Sequence, residues 1–79
     1  MNLTPRQYRE LYEGIMRDPS LRRRALALEN LVTSLEIAYD IRSIKETGWM
    51  PEDLPVRDLY EEVKASLERS RRQLLDGEV

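Results

Sequence analysis

Residues 21–46 read LRRRALALENLVTSLEIAYDIRSIKE, and this stretch decides the fold of the chain. It contains neither glycine nor proline, and its apolar residues recur at helical spacing, which is typical of an amphipathic helix. Asp-Pro-Ser at 18–20 is a start signal in which either the aspartate or the serine serves as the N-cap, and Gly48 is the next helix breaker. The sequence therefore predicts one long helix over residues 21–47, about 40 Å from end to end.

A shorter helix is predicted before this stretch. Thr4, Pro5 and Gln7 supply an N-cap, a proline in the first turn and the glutamine of a capping box. The helix ends where Asp18 precedes a proline, because a following proline disfavours the helical backbone conformation. The first helix is therefore predicted over residues 5–17.

A third helix is predicted after a connection that contains prolines and acidic residues. Pro55 suits a first helical turn, and apolar residues then recur in a 4-3 pattern until Gly77. The predicted bounds are residues 56–76, and residues 77–79 are expected to fray.

The only tryptophan of the chain follows the predicted end of the second helix. When a glycine at a helix end adopts a left-handed conformation, the next residue commonly packs back on the last turn. With Gly48 in that role, Trp49 is expected to contact Ile44 and not to lie in a surface loop.

The composition fits a single small helical domain. The chain has 79 residues, of which 41% are hydrophobic and 35% are charged, and this balance is typical of folded chains. A chain of this length is close to the size at which one hydrophobic core is only marginally sufficient. We therefore expect one domain over residues 1–79, an all-α three-helix bundle with a long central helix.

The predicted second helix carries two apolar lines. The first consists of Leu21, Ala25, Leu28, Val32, Leu35 and Tyr39, and the second of Leu26, Ile37, Ile41 and Ile44. The first line has the spacing of a coiled-coil seam, and a marginal core gains stability from oligomerisation. We therefore predict a two-fold dimer whose interface contains Leu28, Val32, Leu35 and Tyr39. The alternative is a monomer in which the two shorter helices cover opposite faces of the long one.

Charge is segregated along the chain, although the net charge is only −2. Residues 1–24 carry six basic and three acidic groups, whereas residues 25–63 carry three basic and nine acidic ones. In an antiparallel bundle the end of the first helix, the start of the second and the end of the third come together. This basic end is a candidate binding site for an anionic partner, formed by Arg17, Arg22, Arg23, Arg24, Arg69, Arg71 and Arg72.

Three of these arginines, at 22–24, stand in the first turn of a helix, where exposed cations cost about 0.3–1 kcal/mol each. Pairing with Asp18, with Glu13 or with acids of a partner subunit would offset that cost. The alternative is an anionic partner, either a phosphate or an acidic protein surface.

Several kinds of chemistry are excluded because the chain has no cysteine and no histidine. These are disulfides, Cys/His zinc sites, and Ser-His-Asp or Cys-His catalysis. Glu29, Glu36 and Asp40 lie along one strip of the second helix, but carboxylate-bridged metal sites in helical bundles also use histidine. We therefore expect a solvated acidic face, no metal or other cofactor, no small-molecule substrate and no enzymatic activity.

No apolar run approaches the ~20 residues needed to cross a bilayer, and the first residues lack the basic and apolar regions of a signal peptide. We expect a soluble cytoplasmic protein that binds another protein, as a homodimer or as a subunit of a larger complex, in a regulatory, adaptor or assembly role.

The alternative is a small nucleic-acid-binding regulator that contacts phosphates through the basic end, with its first two helices arranged as a helix-turn-helix. That match is weak, because the turn lacks glycine and the chain is acidic overall. Tyr8 and Tyr12, one helical turn apart on an apolar face, are interpreted as core or interface residues and not as a base-stacking platform.

Overall fold

The computed structural model of the chain describes residues 3–77. Within that range it contains four α-helices and one short 3₁₀ turn, and no strand. Helix α1 (Pro5–Met16) begins with the predicted capping box. The Gln7 backbone N–H donates to the Thr4 hydroxyl at 3.2 Å, and the Thr4 N–H donates to the Gln7 side chain at 2.8 Å. The helix ends one residue before its predicted bound.

Helix α2 (Leu21–Ala38) begins where the sequence predicts but is much shorter. Ser20 is its N-cap, and the Ser20 hydroxyl accepts a hydrogen bond from the Arg23 backbone N–H at 3.3 Å. The helix stops at a two-residue turn, after which a separate helix α3 (Ile41–Thr47) follows. The prediction of one continuous helix over residues 21–47, and with it of a three-helix chain, is therefore wrong.

The break lies at Asp40, whose backbone adopts the left-handed conformation with φ 49° and ψ 52°. Aspartate adopts this conformation more readily than most residues, although it costs about 1–2 kcal/mol for residues with a side chain. In an unbroken helix Ile41 would share the face of Ile37, which is 77% exposed. After the break Ile41 is only 1% exposed, and full burial of an isoleucine contributes about 1.5–3 kcal/mol. Burial of Ile41 therefore offsets the backbone cost at Asp40.

Gly48 ends α3 with a φ of 97°, a backbone conformation that residues with side chains rarely adopt. Its N–H donates to the carbonyl oxygen of Ile44 at 2.6 Å. Trp49 is half-buried and packs against the hydrophobic core. The tryptophan therefore belongs to the packed interior, and its contact with Ile44 stays a prediction.

Helix α4 (Leu54–Gly77) is the longest element and begins two residues earlier than predicted. A 3₁₀ turn (Pro51–Asp53) leads into it, closed by a hydrogen bond from the Met50 N–H to the Asp53 carboxylate at 3.2 Å. Gly77 is still helical, and the rest of the predicted frayed end, residues 78 and 79, lies outside the described residues.

Contacts between α2 and α4 show that these helices run antiparallel. The Arg71 guanidinium lies 3.3 Å from the Glu29 carboxylate, and the Tyr60 hydroxyl donates to the Glu36 carboxylate at 2.7 Å. The later residue of α4 thus meets the earlier residue of α2.

Contacts between α1 and α4 show that these two helices run parallel. Arg9 binds the Glu62 carboxylate at 2.9 Å, and the hydroxyls of Tyr12 and Ser66 share a buried hydrogen bond of 2.6 Å. Helices α1, α2 and α4 therefore form an up-down-up bundle, and α3 lies in the connection between α2 and the turn before α4.

The core is built from side chains of all four helices. They are Tyr8, Tyr12, Leu28, Leu31, Leu35, Ile41, Leu59, Tyr60, Val63 and Leu67. Both tyrosines of α1 are thus core residues, as expected. Within residues 3–77 no helix is both long enough and apolar enough to span a membrane.

The structure corrects the assignment of the first apolar line to a dimer interface. Leu28 and Leu35 are completely buried within one chain, and Val32 and Tyr39 are half-buried against the same core. Helices of the same chain, chiefly α4, cover this line. Because Leu28 and Leu35 have no exposed surface, they leave nothing for a second copy to contact.

Candidate functional site

The bundle topology places the end of α1, the start of α2 and the last part of α4 at the same end of the molecule. The candidate arginines of this basic end are all exposed except for one half-buried residue, Arg24. The exposed ones are Arg17, Arg22, Arg23, Arg69, Arg71 and Arg72.

Asp18 organises the α1–α2 turn at the basic end. Its carboxylate accepts a hydrogen bond from the Ser20 backbone N–H at 2.8 Å and two from the Arg23 guanidinium at 3.2 and 3.3 Å. The Arg24 guanidinium donates to the Asp18 backbone carbonyl at 2.9 Å. The Ser20 N–H and then the Arg23 guanidinium hold the pKa of the Asp18 carboxyl below its usual value. The Asp18 carboxylate therefore already pairs with the N–H of the N-cap residue and with one arginine of the first turn of α2.

Two arginines near the end of α4 also contact groups of the same chain. Arg71 forms an ion pair with Glu29, and Arg69 donates to the Ser66 hydroxyl at 3.1 Å. Ser66 in turn shares its hydrogen bond with Tyr12. Arg71 thus connects α4 to α2, and Arg69 contacts the α4 serine that bonds to α1, so part of the predicted anion-binding set serves the packing of the bundle.

The acidic strip of the predicted long helix is dispersed in the structure. Glu29 pairs with Arg71, Glu36 accepts from the Tyr60 hydroxyl, and Asp40 lies at the helix break without a cap hydrogen bond from its side chain. Among residues 3–77 no three acidic side chains are grouped closely enough to hold a metal ion.

Tyr60 links α4 to both α2 and α3. The side chain is 2% exposed, and the ammonium groups of Lys45 and Lys64 lie 5.2 and 5.3 Å from its ring centroid. Burial, and then the hydrogen bond to Glu36, raises the pKa of the Tyr60 hydroxyl to about 12. Both lysine ammonium groups form cation–π contacts with the ring, which stabilise its position, while the hydroxyl stays protonated. Tyr60 belongs to the 4-3 apolar pattern of the third predicted helix, but the sequence carries no signal for these polar contacts.

The outer face of α2, which we define as Leu26, Asn30, Thr33 and Ile37, points away from the core. Leu26 is 62% exposed and Ile37 is 77% exposed. They are the two members of the predicted second apolar line that stay exposed, because Ile41 is buried in the core and Ile44 is half-buried. The helix break thus leaves two large aliphatic side chains without cover in the single chain.

A cleft of about 590 Å³ adjoins the outer face of α2 where the helix breaks. It is lined by Glu36, Ile37, Ile41, Arg42, Lys45 and Glu46. Ile37 forms its apolar wall, and charged groups of both signs form its rim. The cleft can accept an apolar side chain from outside and provide charged partners around it.

Comparisons of this chain with protein-family models, with curated proteins and with solved structures found no match.

Proposed function

We propose that this protein is a non-catalytic protein–protein interaction module that acts as a homodimer or as a subunit of a larger assembly, and that the outer face of α2 is its contact surface. The observation that carries the proposal is the exposure of Leu26 and Ile37 on one helix face. Covering a large aliphatic side chain contributes about 1.5–3 kcal/mol, which favours association through this face.

The cleft beside Ile37 supports the same assignment. Interface residues that contribute most to binding energy are commonly apolar or aromatic side chains seated in pockets, with a polar rim around them. The cleft has this arrangement locally, since the exposed Ile37 is bordered there by the charged residues Glu36, Arg42, Lys45 and Glu46.

The charges of the basic end favour a protein partner over nucleic acid. Arg23 contacts the Asp18 carboxylate and Arg71 contacts Glu29, so these two cations already have counter-charges within the chain. A surface that binds phosphates by counterion release needs several cations available to the backbone, usually in a chain with net positive charge. This chain has a net charge of −2.

Site-specific photo-cross-linking in cells tests the proposal. A benzophenone amino acid replaces Ile37 in one variant and Ala65, an exposed residue of α4, in the control. We expect discrete protein adducts from position 37 and none from position 65. Adducts of equal intensity from both positions, or none from either, would contradict the proposed contact surface.

The nucleic-acid alternative is tested by titrating the protein into a labelled DNA duplex and a labelled single-stranded RNA while the salt concentration is raised. We expect no binding at physiological salt. An affinity that falls steeply with salt and is weakened by R22A/R72A would instead assign the basic end to phosphate contacts and contradict the protein-partner proposal.

A further inference from the structure

We infer that the partner on the outer face of α2 is a second copy of this chain, paired antiparallel so that Leu26 of each subunit packs against Ile37 of the other. The inference rests on the proposed function and names the partner of the same surface. It differs from a dimer through the first apolar line, which the core of each chain occupies.

The spacing of the outer face carries the argument. Its residues follow one another at intervals of four, three and four, so the pattern reads the same from either end. Leu26 and Ile37 are eleven residues apart, which is about three turns and about 16 Å along one side of the helix. A two-fold axis that passes between Asn30 and Thr33 therefore places Leu26 of each chain opposite Ile37 of the other chain. The same axis places Asn30 of each chain opposite Thr33 of the other.

Such an arrangement meets the requirement of a two-fold interface, in which one patch must be complementary to itself. A leucine faces an isoleucine at both ends of the seam, and an amide faces a hydroxyl on both sides of its centre. The cleft beside Ile37 lies where Leu26 of the partner subunit approaches, so the seam has a recess for that side chain.

Charge decides between antiparallel and parallel pairing. The antiparallel register sets the start of each α2, which carries arginines at 22–24, beside the end of α2 in the partner subunit, near which Glu36 and Asp40 lie, and the symmetry repeats this arrangement at the other end. The first turn of α2 contains no acid and its last turn contains no base, so its own charges do not compensate the helix dipole. Parallel pairing would instead bring the arginines at 22–24 of both subunits together, where like charges repel.

Cysteine cross-linking tests the register in a chain that has no cysteine of its own. L26C and I37C are mixed and treated with a short bis-maleimide, with each variant alone and A65C as controls. We expect the mixed pair to cross-link at least about tenfold faster than L26C alone or I37C alone. Faster reaction of each variant with itself would establish parallel pairing and overturn the inference. Rates no higher than that of A65C would overturn the dimer altogether.

Charge substitution provides a second test that does not depend on the chemistry of cross-linking. L26K and I37E each place a charge in the seam, so each alone is expected to weaken self-association by about tenfold or more. Mixed together, the two variants set the introduced lysine opposite the introduced glutamate at one end of the seam and restore the aliphatic pair at the other. The mixture is therefore expected to regain most of the lost affinity. Sedimentation equilibrium measures the affinities, and circular dichroism checks that both variants stay folded. A mixture as weak as the single variants contradicts the register.

The photo-cross-links at position 37 separate failure of this inference from failure of the proposed function. Adducts of twice the chain mass agree with both the self-pairing and the proposed function. Adducts with a different protein, together with a wild-type monomer at high micromolar concentration, overturn the self-pairing and leave the interaction module in place. The absence of both adducts and dimer overturns both.

Discussion

At the scale of single residues, Tyr60 shows how a polar atom is kept inside a small helical core. Its hydroxyl donates to Glu36, and the lysine ammonium groups at 45 and 64 face its ring. The folded chain therefore binds the phenolic proton more tightly than the unfolded chain does, because burial and the nearby carboxylate both disfavour the phenolate. This difference makes the stability of the protein depend on pH in the alkaline range.

We expect the free energy of unfolding to fall as the pH rises from about 10 to about 12, the interval between the ordinary and the raised pKa of Tyr60. Below that interval both states hold the proton and the stabilisation is complete. Within it the unfolded chain loses the proton while the folded chain must keep it, at a cost of roughly 2 kcal/mol by the upper end. Urea denaturation at a series of pH values measures the fall.

The variant Y60F is the matched control, since it keeps the ring and removes the titrating group. Its free energy of unfolding is expected to be lower at neutral pH by about 1 kcal/mol, because the hydrogen bond to Glu36 is lost. Between pH 10 and 12 it should fall less steeply than that of the wild type. Equal slopes in both proteins would show that Tyr60 does not cause the alkaline loss.

At the scale of the elements, the helix ends could be predicted from the sequence and the break inside the predicted long helix could not. The capping box of Thr4 and the cap at Ser20 are local hydrogen bonds between residues three apart, so the sequence displays both partners. The break at Asp40 is decided by the burial of Ile41 among residues that are distant in sequence. For the same reason, periodicity identified both apolar lines of the second helix but could not tell which residues the chain itself would cover.

The left-handed conformation of Asp40 leads to a prediction about the order of two substitutions. Glycine adopts this conformation without steric strain and alanine does not, so D40G is expected to be more stable than D40A by about 1 kcal/mol. In a continuous helix the order would be reversed, because glycine is about 1 kcal/mol worse than alanine in a helix interior. Chemical denaturation at low protein concentration gives both free energies, and the sign of the difference decides between the two backbones.

The burial of the first apolar line leads to a further prediction for α2. V32E/L35E is expected to unfold the chain instead of merely separating two subunits, since Leu35 is completely buried within one chain. An unpaired charge in a core costs several kcal/mol, which is comparable to the whole stability of a small domain. I37E is the matched control on the outer face and should keep the circular dichroism of the wild type. A V32E/L35E variant that is helical and monomeric would contradict the described packing.

At the scale of the whole molecule, stability and association are expected to be coupled. The bundle has no disulfide, and a single core in 79 residues is near the lower limit for independent stability. Ion pairs between helices, such as Arg9 with Glu62 and Arg71 with Glu29, are exposed and each contributes at most about 1 kcal/mol. Covering the outer face of α2, where Leu26 and Ile37 are exposed, would therefore add stability that the single chain lacks.

If a second copy covers that face, the melting temperature must depend on protein concentration, because folded chains associate with each other and unfolded chains do not. Over a hundredfold rise in concentration across the dissociation constant, we expect the melting temperature of the wild type to rise by at least about 5 °C. I37E keeps the core but places a charge in the seam and weakens association, so its melting temperature should rise much less over the same range of concentration. Differential scanning calorimetry measures the melting temperatures of both proteins. If the melting temperature of the wild type depends on concentration no more than that of I37E, the folded chain is stable as a monomer. The outer face of α2 would then bind a different protein.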